Sequence, residues 1–373
     1  MIADTVRMRA YAEALRAAVK PHDIVVDIGT GTGIFALLAC QYGASRVYAI
    51  EPNENIQVAI RLAKENGFSE RIEFIQSLST EMRLDKKADV IISDLRGLLP
   101  LYQKHIPTLA DARRRLLKSG GLLIPRRDTL HVCMVEAPEL YRAYSGIWDV
   151  DSHDLNLNYA REVSANTWSP GRASAEQMLT QSNCWAILDY YELESPDVRG
   201  SVSQRVVRNG VAHGFMLWFD TELVDGVGFS NAPGCEKPAK VYGSAFLPFL
   251  EPVQVSENDE AQIELWAVLI NDEYTWCWNT RIVSSEGIPK ADFRQSTFYG
   301  TIFSADGLRR RQPGYIPKLN LKGMVELFIQ QEMDGVNSLA TIAKKLLDHF
   351  PDQFSSLQEA VERVGDSSEK YGS

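Results

Sequence analysis

The order of apolar and polar positions divides the chain into three stretches, and the first is the most regular. Over residues 1–124, short apolar runs alternate with longer segments whose apolar residues recur every three or four positions. The runs predict strands and the longer segments predict helices. Such alternation is typical of an α/β domain with a Rossmann-like, doubly wound parallel sheet. The predicted strands are residues 24–28, 47–50, 72–75, 90–93 and 122–124, and the predicted helices are 1–20, 55–66, 101–117 and one beginning at Ile34.

The second stretch, residues 125–300, has a different pattern. Its apolar segments alternate with polar positions and are rich in aromatic and β-branched residues, which predicts a largely antiparallel β-barrel or sandwich. Within it, residues 151–182 form a polar, poorly periodic insertion. The predicted strand segments are residues 129–135, 185–191, 214–219, 245–249, 261–270 and 274–278.

The third stretch, residues 301–373, returns to helical spacing. It starts near a basic, turn-forming run at residues 308–314, which we interpret as a solvated linker because it is short and the whole chain is acidic. Helical patterns follow at residues 323–333, 339–350 and 354–364. The predicted fold class is therefore α/β plus β, followed by a small, mainly helical C-terminal domain.

A glycine-rich turn follows the first predicted strand. Gly29, Gly31 and Gly33 stand at alternate positions, as a tight strand-to-helix turn close to a ligand requires. Asp27 precedes them, and Glu51 ends the second strand, where an acid can accept hydrogen bonds from two ribose hydroxyls. The Gly-x-Gly-x-Gly spacing argues against a nicotinamide or flavin dinucleotide, and no Gly-Lys-Ser/Thr run indicates a nucleoside triphosphate. A turn without a ligand would explain the glycines but not both acids.

The run Asp-Ile-Gly-Thr-Gly-Thr-Gly at residues 27–33 resembles the first motif of class I S-adenosylmethionine-dependent methyltransferases. The resemblance implies that S-adenosylmethionine is the cofactor and S-adenosylhomocysteine the product. Ligands of such sheets bind at the carboxyl ends of the strands, where Asp27, Glu51 and Asp94 would converge. The loop at residues 77–81 is then expected near the adenine, with Glu81 as a contact.

The chain also resembles the protein arginine methyltransferase family. The pattern Met1-Ile2-x-Asp4-x-x-Arg7-x-x-x-Tyr11 is similar to the segment that precedes the glycine motif there, and runs at residues 213–220 and 251–255 match the family's barrel. The resemblance covers about residues 1–285. It implies that Arg7 holds the cofactor's carboxylate and that Met1 lies beside the reacting centre; an amphipathic helix with an exposed arginine is the alternative. The candidate cofactor-binding residues are Arg7, Asp27, Gly29, Thr30, Gly31, Gly33, Glu51, Pro52 and Glu81.

The same resemblance implies a homodimer. In the family a dimerisation arm leaves the barrel where residues 151–182 lie in this chain, whereas a solvated surface loop would explain the same composition. Because the chain begins directly at the N-terminal pattern, we expect the helix that closes over the cofactor in the family to be short or absent.

The predicted acceptor site departs from the family pattern. The family binds a substrate guanidinium with two glutamates on the loop after the fourth strand and completes the site with a Thr-His-Trp loop. Here Asp94 and Gln103 replace the glutamates, and Ala239-Lys240-Val241 replaces Thr-His-Trp. Arg96 and Lys240 would bring positive charge near a bound guanidinium, unless both point to solvent. The candidate catalytic residues are Asp94, Gln103, Tyr102, His105, Lys240 and Met1.

Three functions remain open from these residues. The first is a methyltransferase acting on arginine or a related guanidino group, with Asp94 orienting it alone. The second is a methyltransferase of a different small molecule or peptide, whose anionic group meets Arg96 or Lys240, with Asp94, Tyr102 or His105 as base or positioning residue. The third is a scaffold that binds S-adenosylmethionine without catalysis.

Composition narrows the expected partners. A net charge of −10 over 373 residues, with 45% hydrophobic and 24% charged residues, is typical of a soluble globular protein and argues against a nucleic-acid partner. No apolar run reaches the length of a membrane span, and the first residues do not form a secretory signal. Five scattered cysteines and six histidines form no metal-ligand spacing. We therefore expect a cytoplasmic protein with reduced thiols, no metal and no membrane or nucleic-acid partner.

Residues 333–343 combine a helix end, a glycine turn, a serine cap and a second helix start. This segment resembles the small peptide-binding modules of peptide-maturation systems, such as that of the pyrroloquinoline-quinone pathway. The resemblance implies a peptide partner for the C-terminal domain. A winged-helix-like fold that packs on the barrel is the alternative.

Overall fold

The computed structural model describes residues 2–149 and 155–372. The first part of the chain forms a five-stranded parallel sheet in the order β3-β2-β1-β4-β5, with one helix before the first strand and helices in three of the four connections. Nearly every residue of the adjacent strands β1 and β4 is buried, as expected for strands covered by helices on both faces of the sheet. The strands are β1 (Ile24–Ile28), β2 (Arg46–Ile50), β3 (Ile72–Ile75), β4 (Ala88–Ser93) and β5 (Leu117–Ile124), and the helices are α1 (Thr5–Ala18), α2 (Ile34–Gln41), α3 (Ile56–Glu65) and α4 (His105–Arg115).

The strand order reverses between β1 and β4, so a crevice opens beyond the carboxyl ends of these two strands. Asp27 lies near the end of β1, Glu51 follows β2, and Asp94 follows β4. The three acids that the sequence predicted to converge are therefore on the same edge of the sheet.

Two helices are shorter than predicted. α1 begins only at Thr5, because Asp4 caps it by accepting a hydrogen bond from the backbone of Arg7, and it ends before Val19, whose backbone is extended. α4 begins at His105 rather than near residue 101, because Gln103 adopts a left-handed conformation with φ of 42°. The residues from 101 to 104 are thereby left in a loop at the crevice.

The middle of the chain forms two antiparallel sheets. One has the order β7-β12-β10-β6-β8 with β11 on β10, and the other has the order β15-β14-β13-β9. Strand β10 is much longer than the predicted segment 214–219, because it pairs along its length with three partners. The strands are β6 (Arg127–Val135), β7 (Ser169–Gly171), β8 (Asn183–Asp189), β9 (Val198–Arg205), β10 (Gly210–Val224), β11 (Val227–Ser230), β12 (Ser244–Val255), β13 (Glu260–Ile270), β14 (Glu273–Val283) and β15 (Pro289–Ser296).

The described part of the insertion predicted at residues 151–182 is held by the sheets around it. It contains α6 (Asn158–Ala165) and β7, which pairs with β12. The side chain of Gln295 donates to the carbonyl of Ala165 at 2.6 Å, and Asn166 accepts from the backbone of Ser296 at 2.9 Å. These contacts hold the described part of the insertion against β15. Helix α5 (Pro138–Tyr144) and a 3₁₀ turn at Gly146–Asp149 precede the insertion, and a second 3₁₀ turn, Ala175–Gln177, lies within it.

The chain divides into two compact units, Met1–Thr301 and Ile302–Ser373. In the first, one apolar core runs through the parallel sheet and both antiparallel sheets. The second is helical, with α7 (Ala305–Arg310), α8 (Leu321–Glu332), α9 (Leu339–His349) and α10 (Leu357–Tyr371). Its own small core includes Ile329, Leu346 and Val364. No helix in the described part of the chain is long and apolar enough to cross a bilayer.

Candidate active site

The glycine turn after β1 has the backbone geometry that the sequence predicted. Gly29, Gly31 and Gly33 all have positive φ, between 54° and 82°. A side chain on Gly33 would place its Cβ 2.8 Å from the Cβ of Ala59 on α3, so this position needs glycine for space as well as for conformation. The amides of Gly29 and Thr30 both donate to the carbonyl of Ile50, which fixes the turn against β2.

Asp27 lies beneath this turn rather than in the crevice. One carboxylate oxygen accepts hydrogen bonds from the Thr30 hydroxyl at 2.5 Å and from the Ala36 amide at 3.1 Å. The other oxygen is buried and has no hydrogen-bond partner among the described residues. Burial raises the pKa of Asp27 to about 7. The carboxyl therefore joins the turn to the start of α2, and any effect on a ligand passes through that turn.

Glu51 is held at the edge of the crevice by uncharged donors. Its Oε2 accepts from the Gly31 amide at 3.0 Å, and its Oε1 accepts from the amide and the side chain of Asn53 at 3.1 and 2.7 Å. These hydrogen bonds orient the carboxylate, and none of the donors is a cation that would form an ion pair with it. This is the state in which an acid can bind the hydroxyls of a ligand.

Two adjoining cavities form the crevice, and Gly29 and Asp94 line both. The first has a volume of about 500 Å³ and brings together Arg7, the turn from Gly29 to Thr32 and Phe35. The second has a volume of about 570 Å³ and brings together Glu51, Pro52 and the predicted acceptor-site residues Tyr102, Gln103 and His105. Asp94 therefore lies where the two cavities meet.

Five predicted residues lie outside these cavities or outside the described chain, and Asp27 and Gly33, which belong to the turn itself, are two of them. Glu81 is exposed and accepts a hydrogen bond from the hydroxyl of Ser77; the second cavity is lined instead by residues 77–80. Lys240 is exposed and lines a separate groove, because the backbone of Val241 is bound to Asp4 at 2.7 Å. Met1 lies outside the described residues.

Asp94 is almost completely paired. Its Oδ2 accepts from Arg7 Nε and from the Tyr242 hydroxyl, each at 2.5 Å, and its Oδ1 accepts from Arg96 Nε at 3.1 Å. Its side chain is 3% exposed. Burial by itself would raise the pKa of Asp94. The cations Arg96 and Arg7 outweigh this effect and hold that pKa below its usual range. Asp94 is thus an ionised carboxylate whose charge is met by two arginines of this chain.

Arg96 is buried and paired with acids. The side chain therefore does not point to solvent, and its positive charge is not left uncompensated. Its side chain has no exposed surface, and it pairs with Asp94 and with Asp128 of β6, the latter at 2.9 Å. Nη1 also donates to Thr221 of β10 at 2.7 Å, and Nη2 donates to the hydroxyl of Tyr11 on α1. The arginine therefore links the parallel sheet to the antiparallel region.

His105 belongs to the same buried network and is kept uncharged. The Tyr190 hydroxyl lies 3.0 Å from His105 Nε2 and donates to Asp128 at 2.6 Å. Burial and the nearby Arg96 lower the pKa of His105 to about 3. At neutral pH the ring is a weak base, and one of its nitrogens is occupied by Tyr190. This geometry argues against His105 as a general base and makes it a structural neighbour of the site.

Tyr102 and Gln103 form the outer wall of the second cavity. The Tyr102 ring packs on Gly97, where a Cβ would lie 2.5 Å from a ring carbon, and the residue is 43% exposed. Gln103, in the turn before α4, lines the same cavity. No group of side chains in residues 2–149 and 155–372 has the arrangement of a metal site.

Comparison with known proteins shows which family has this architecture. A family model described as ribosomal protein L11 methyltransferase (PrmA) matches residues 9–125, which is the parallel-sheet part. Protein arginine N-methyltransferase 1 of Schizosaccharomyces pombe is 30% identical over 250 residues, which cover 64% of this chain and 69% of that protein. The chain belongs to the protein arginine methyltransferase family.

Other members of the family are similarly distant. The probable protein arginine N-methyltransferase 6 of Arabidopsis thaliana is 30% identical over 233 residues, covering 59% of this chain and 53% of that protein. The corresponding enzyme of Danio rerio is 31% identical over 233 residues, covering 59% and 66%. The chain thus spans about half to two thirds of the length of these relatives.

Solved structures of the family share the fold. The Trypanosoma brucei PRMT1 enzyme–prozyme heterotetrameric complex with AdoHcy matches with a TM-score of 0.72 at 21% identity, over 79% of this chain and 95% of that one. Arabidopsis thaliana protein arginine methyltransferase 10 matches with a TM-score of 0.69 at 21% identity over the same shares. The predicted family and the predicted fold class are confirmed.

Sequence reasoning missed four residues of the buried network. Asp128, Tyr190, Thr221 and Tyr242 come from separate elements of the antiparallel region, and no local motif marks them. Two of them lay beside segments already aligned with the family: Thr221 directly follows the run at residues 213–220, and Tyr242 lies two residues after Lys240. The departure from the family at Asp94 was visible in the sequence, whereas the partners that meet its charge were not.

Proposed function

We propose that this chain is an S-adenosylmethionine-dependent methyltransferase that transfers a methyl group to a nitrogen of arginine or of a related guanidino group. The names of its relatives support this proposal, as does the AdoHcy with which one structural neighbour forms a complex. The observation that carries it is the pair of adjoining cavities in which the glycine turn, Glu51 and Asp94 share one edge of the sheet.

The cofactor half of the crevice fits such a ligand. The glycine turn offers backbone without side chains, and Glu51 presents an oriented carboxylate for the ribose hydroxyls. We assign Arg7 to the carboxylate of the cofactor and residues 77–80 to the adenine, with Glu81 at the end of that loop. S-adenosylmethionine would supply the electrophilic methyl carbon, and Asp94 would position the acceptor beside it.

A second candidate function is methylation of an acceptor other than arginine. It is favoured by the pairing of both Asp94 oxygens with Arg7, Arg96 and Tyr242, and by an uncharged Gln103 where the family has a glutamate. A carboxylate already bound on both oxygens has few lone pairs left for a substrate guanidinium.

Calorimetry and a labelled-methyl assay test these proposals. Binding of S-adenosylmethionine and S-adenosylhomocysteine is expected, and an absence of binding would contradict the proposed function. Incubation with methyl-labelled cofactor and cell extract, followed by separation into small-molecule, peptide and protein fractions, identifies the acceptor class. Label in methylarginine that disappears in Asp94→Ala would favour the first candidate, and label elsewhere the second. Cofactor binding without label in any fraction would indicate a scaffold.

We also propose that the chain forms a homodimer through the segment that contains α6. Exposed apolar side chains on and beside this segment support the proposal; they are Ile147, Trp148, Leu155 and Tyr159. Trp148→Glu combined with Tyr159→Glu is expected to give monomers in sedimentation velocity. The control is Ile187→Glu, which changes an exposed apolar residue on β8, outside this segment. A dimer that persists in the double variant would contradict this interface.

For the C-terminal unit we propose a peptide partner. A cavity of about 410 Å³ within this unit, lined by residues that include Met333, Asn337, Leu339 and Tyr371, supports it. Leu339→Glu in the full chain is expected to lower labelling of the peptide fraction without changing cofactor affinity. Unchanged labelling would contradict the proposal. We further propose a cytoplasmic location, in keeping with five free cysteines.

A further inference from the structure

The guanidinium of Arg96 lies in a closed site made of acids, hydroxyls and aromatic rings. We call this site the Arg96 box; it consists of Tyr11, Asp94, Asp128, Phe219, Thr221, Phe229 and Tyr242. Four of its rings face the guanidinium carbon at 5.3 to 6.0 Å from their centroids. Aromatic faces around a desolvated guanidinium add cation–π attraction to its ion pairs. The box is therefore a complete binding site for one guanidinium group.

The hydrogen bonds of Arg96 leave no donor for another ligand. A guanidinium has five N–H donors. Nε donates to Asp94, Nη1 to Asp128 and Thr221, and Nη2 to Tyr11 and Tyr242. Arg96 can therefore neither recruit an anionic substrate nor leave the box without exposing two buried carboxylates.

The charges around Asp94 also balance. Arg7 and Arg96 are cations, Asp94 and Asp128 are carboxylates, and these four groups contact one another in one network. His105 is uncharged at neutral pH, because its pKa is lowered to about 3. A substrate guanidinium that approached Asp94 would meet the positive charges of Arg7 and Arg96 with no unpaired carboxylate of this network to offset them.

We propose that Arg96 determines specificity as a tethered guanidinium that fills the cation site beside the crevice, so that the acceptor is a group whose reacting atom is uncharged. This rests on the proposed methyl transfer, deepens its second candidate and argues against the first, in which arginine is the acceptor. An uncharged nitrogen already carries a free lone pair, so the site need not remove a proton first. The acceptor's lone pair forms the bond to the methyl carbon while the carbon–sulfur bond breaks with its electron pair left on sulfur. A proton then leaves the methylated nitrogen for solvent.

The first test uses the wild-type chain and methylguanidine as the probe. Titration calorimetry and ligand-observed NMR are expected to detect no binding at Asp94 at concentrations up to about 10 mM, because Arg96 holds the box. Saturable binding that the Asp94→Asn variant abolishes would overturn the proposal. This measurement needs no variant with an altered Arg96 and so does not depend on such a variant folding.

The second test opens the box with Arg96→Ala. Methylguanidine at about 10 mM is expected to raise the thermal midpoint of this variant by about 3 °C, whereas N-methylurea, which has a similar shape and no charge, leaves it unchanged. The control is Arg113→Ala. Arg113 binds two backbone carbonyls and one acid, so its removal does not leave a pair of buried carboxylates unpaired. Equal effects of the two ligands on a folded Arg96→Ala variant would overturn the proposal.

The third test reads the acceptor itself and separates this inference from the proposed function. In the labelled-methyl assay, the wild-type chain is expected to give no labelled methylarginine. A folded Arg96→Ala variant is expected to shift label towards it, a change that a merely structural arginine would not cause. Methylarginine formed by the wild-type chain would overturn the inference and leave methyl transfer intact. If the wild-type chain labels nothing, the proposed function fails, while the methylguanidine result still decides whether Arg96 fills a guanidinium site.

Discussion

The two sides of the crevice treat their carboxylates in opposite ways. On the cofactor side, the carboxylate of Glu51 is oriented by the uncharged amides of Gly31 and Asn53. On the acceptor side, Asp94 and Asp128 are paired with arginines and hydroxyls of the same chain. A carboxylate oriented by backbone remains available to a ligand, whereas one paired with an arginine has already met its cation.

The largest expected effect concerns the paired side. Asp128→Asn leaves Arg96 without one of its two buried carboxylates, and we expect the first unit to lose about 3 to 5 kcal/mol of unfolding free energy. Urea unfolding followed by tryptophan fluorescence reports on this unit, because all seven tryptophans lie before residue 301. The control is Asp220→Asn, whose half-exposed carboxylate binds Ser230 and His131; its loss is expected to be about 1 kcal/mol or less. Equal losses would remove the difference between buried and exposed pairs.

In the glycine turn on the cofactor side, adding a single methyl group to Gly33 is expected to lower stability. Gly33→Ala forces a left-handed alanine and a Cβ against Ala59, whereas Gly67→Ala, with a φ of 73°, meets nothing within 4 Å. We expect Gly33→Ala to cost about 1 to 3 kcal/mol more than Gly67→Ala in the same unfolding experiment. If both variants lose the same stability, conformational strain alone explains the glycine, and close packing of α3 is not required.

Glu51 tests whether the open carboxylate serves a ligand. Glu51→Gln is expected to weaken S-adenosylhomocysteine binding by about 1 to 3 kcal/mol, because charge-assisted hydrogen bonds to the ribose become neutral ones. Isothermal titration calorimetry measures the change. Glu54→Gln is the control, since Glu54 is an exposed neighbour that binds Gln76 instead. Unchanged affinity in Glu51→Gln would remove this residue from the ribose site.

The two sides are also expected to differ in pH dependence, with opposite sign. The pKa of His105 is lowered to about 3 in the folded chain, so its contribution to stability is lost as pH falls from about 6.5 towards 3. The pKa of Asp27 is raised to about 7, so its contribution is lost as pH rises from about 4 towards 7. Each slope is at most about 1.4 kcal/mol per pH unit.

Measuring the unfolding free energy of His105→Gln and of Asp27→Asn from pH 4.5 to pH 7 separates the contributions of the two residues. The histidine variant is expected to lose less stability than wild type on the acid side, and the aspartate variant less on the neutral side. NMR of the imidazole gives an independent reading, since His105 should remain uncharged at pH 5. A His105 that protonates near pH 6.5 would contradict its burial in the Tyr190–Asp128 network.

Prediction from sequence was accurate where the signal is local. Four strands of the parallel sheet were predicted to within two residues because each carries its own pattern, and the glycine turn was predicted because its spacing encodes its backbone, whereas β5 begins five residues before its predicted segment. Element ends were less accurate. Pairing along the whole of β10 extended it beyond its apolar segment, and a left-handed Gln103 delayed the start of α4. Both depend on neighbours that periodicity does not register.

The acceptor side shows the limit most clearly. The sequence identified Asp94 and the loss of the second acid, yet it left Arg96 and Lys240 equivalent. In the structure Arg96 is wholly buried and Lys240 is exposed. No local property of either residue distinguishes them, because Arg96 becomes buried only when β6 and β10 bring Asp128 and Thr221 to it.

The sequence by itself therefore determined the sheet, the turn and the acids at its edge, because these follow from the spacing of neighbouring residues. Only the tertiary structure decided which of those acids are already bound. The partners of Asp94 and Arg96 lie 87, 125 and 148 positions away along the chain, in contacts from Arg7 to Asp94, Arg96 to Thr221 and Tyr242 to Asp94. A carboxylate's availability depends on the charges that surround it in space, and folding alone brings those charges together.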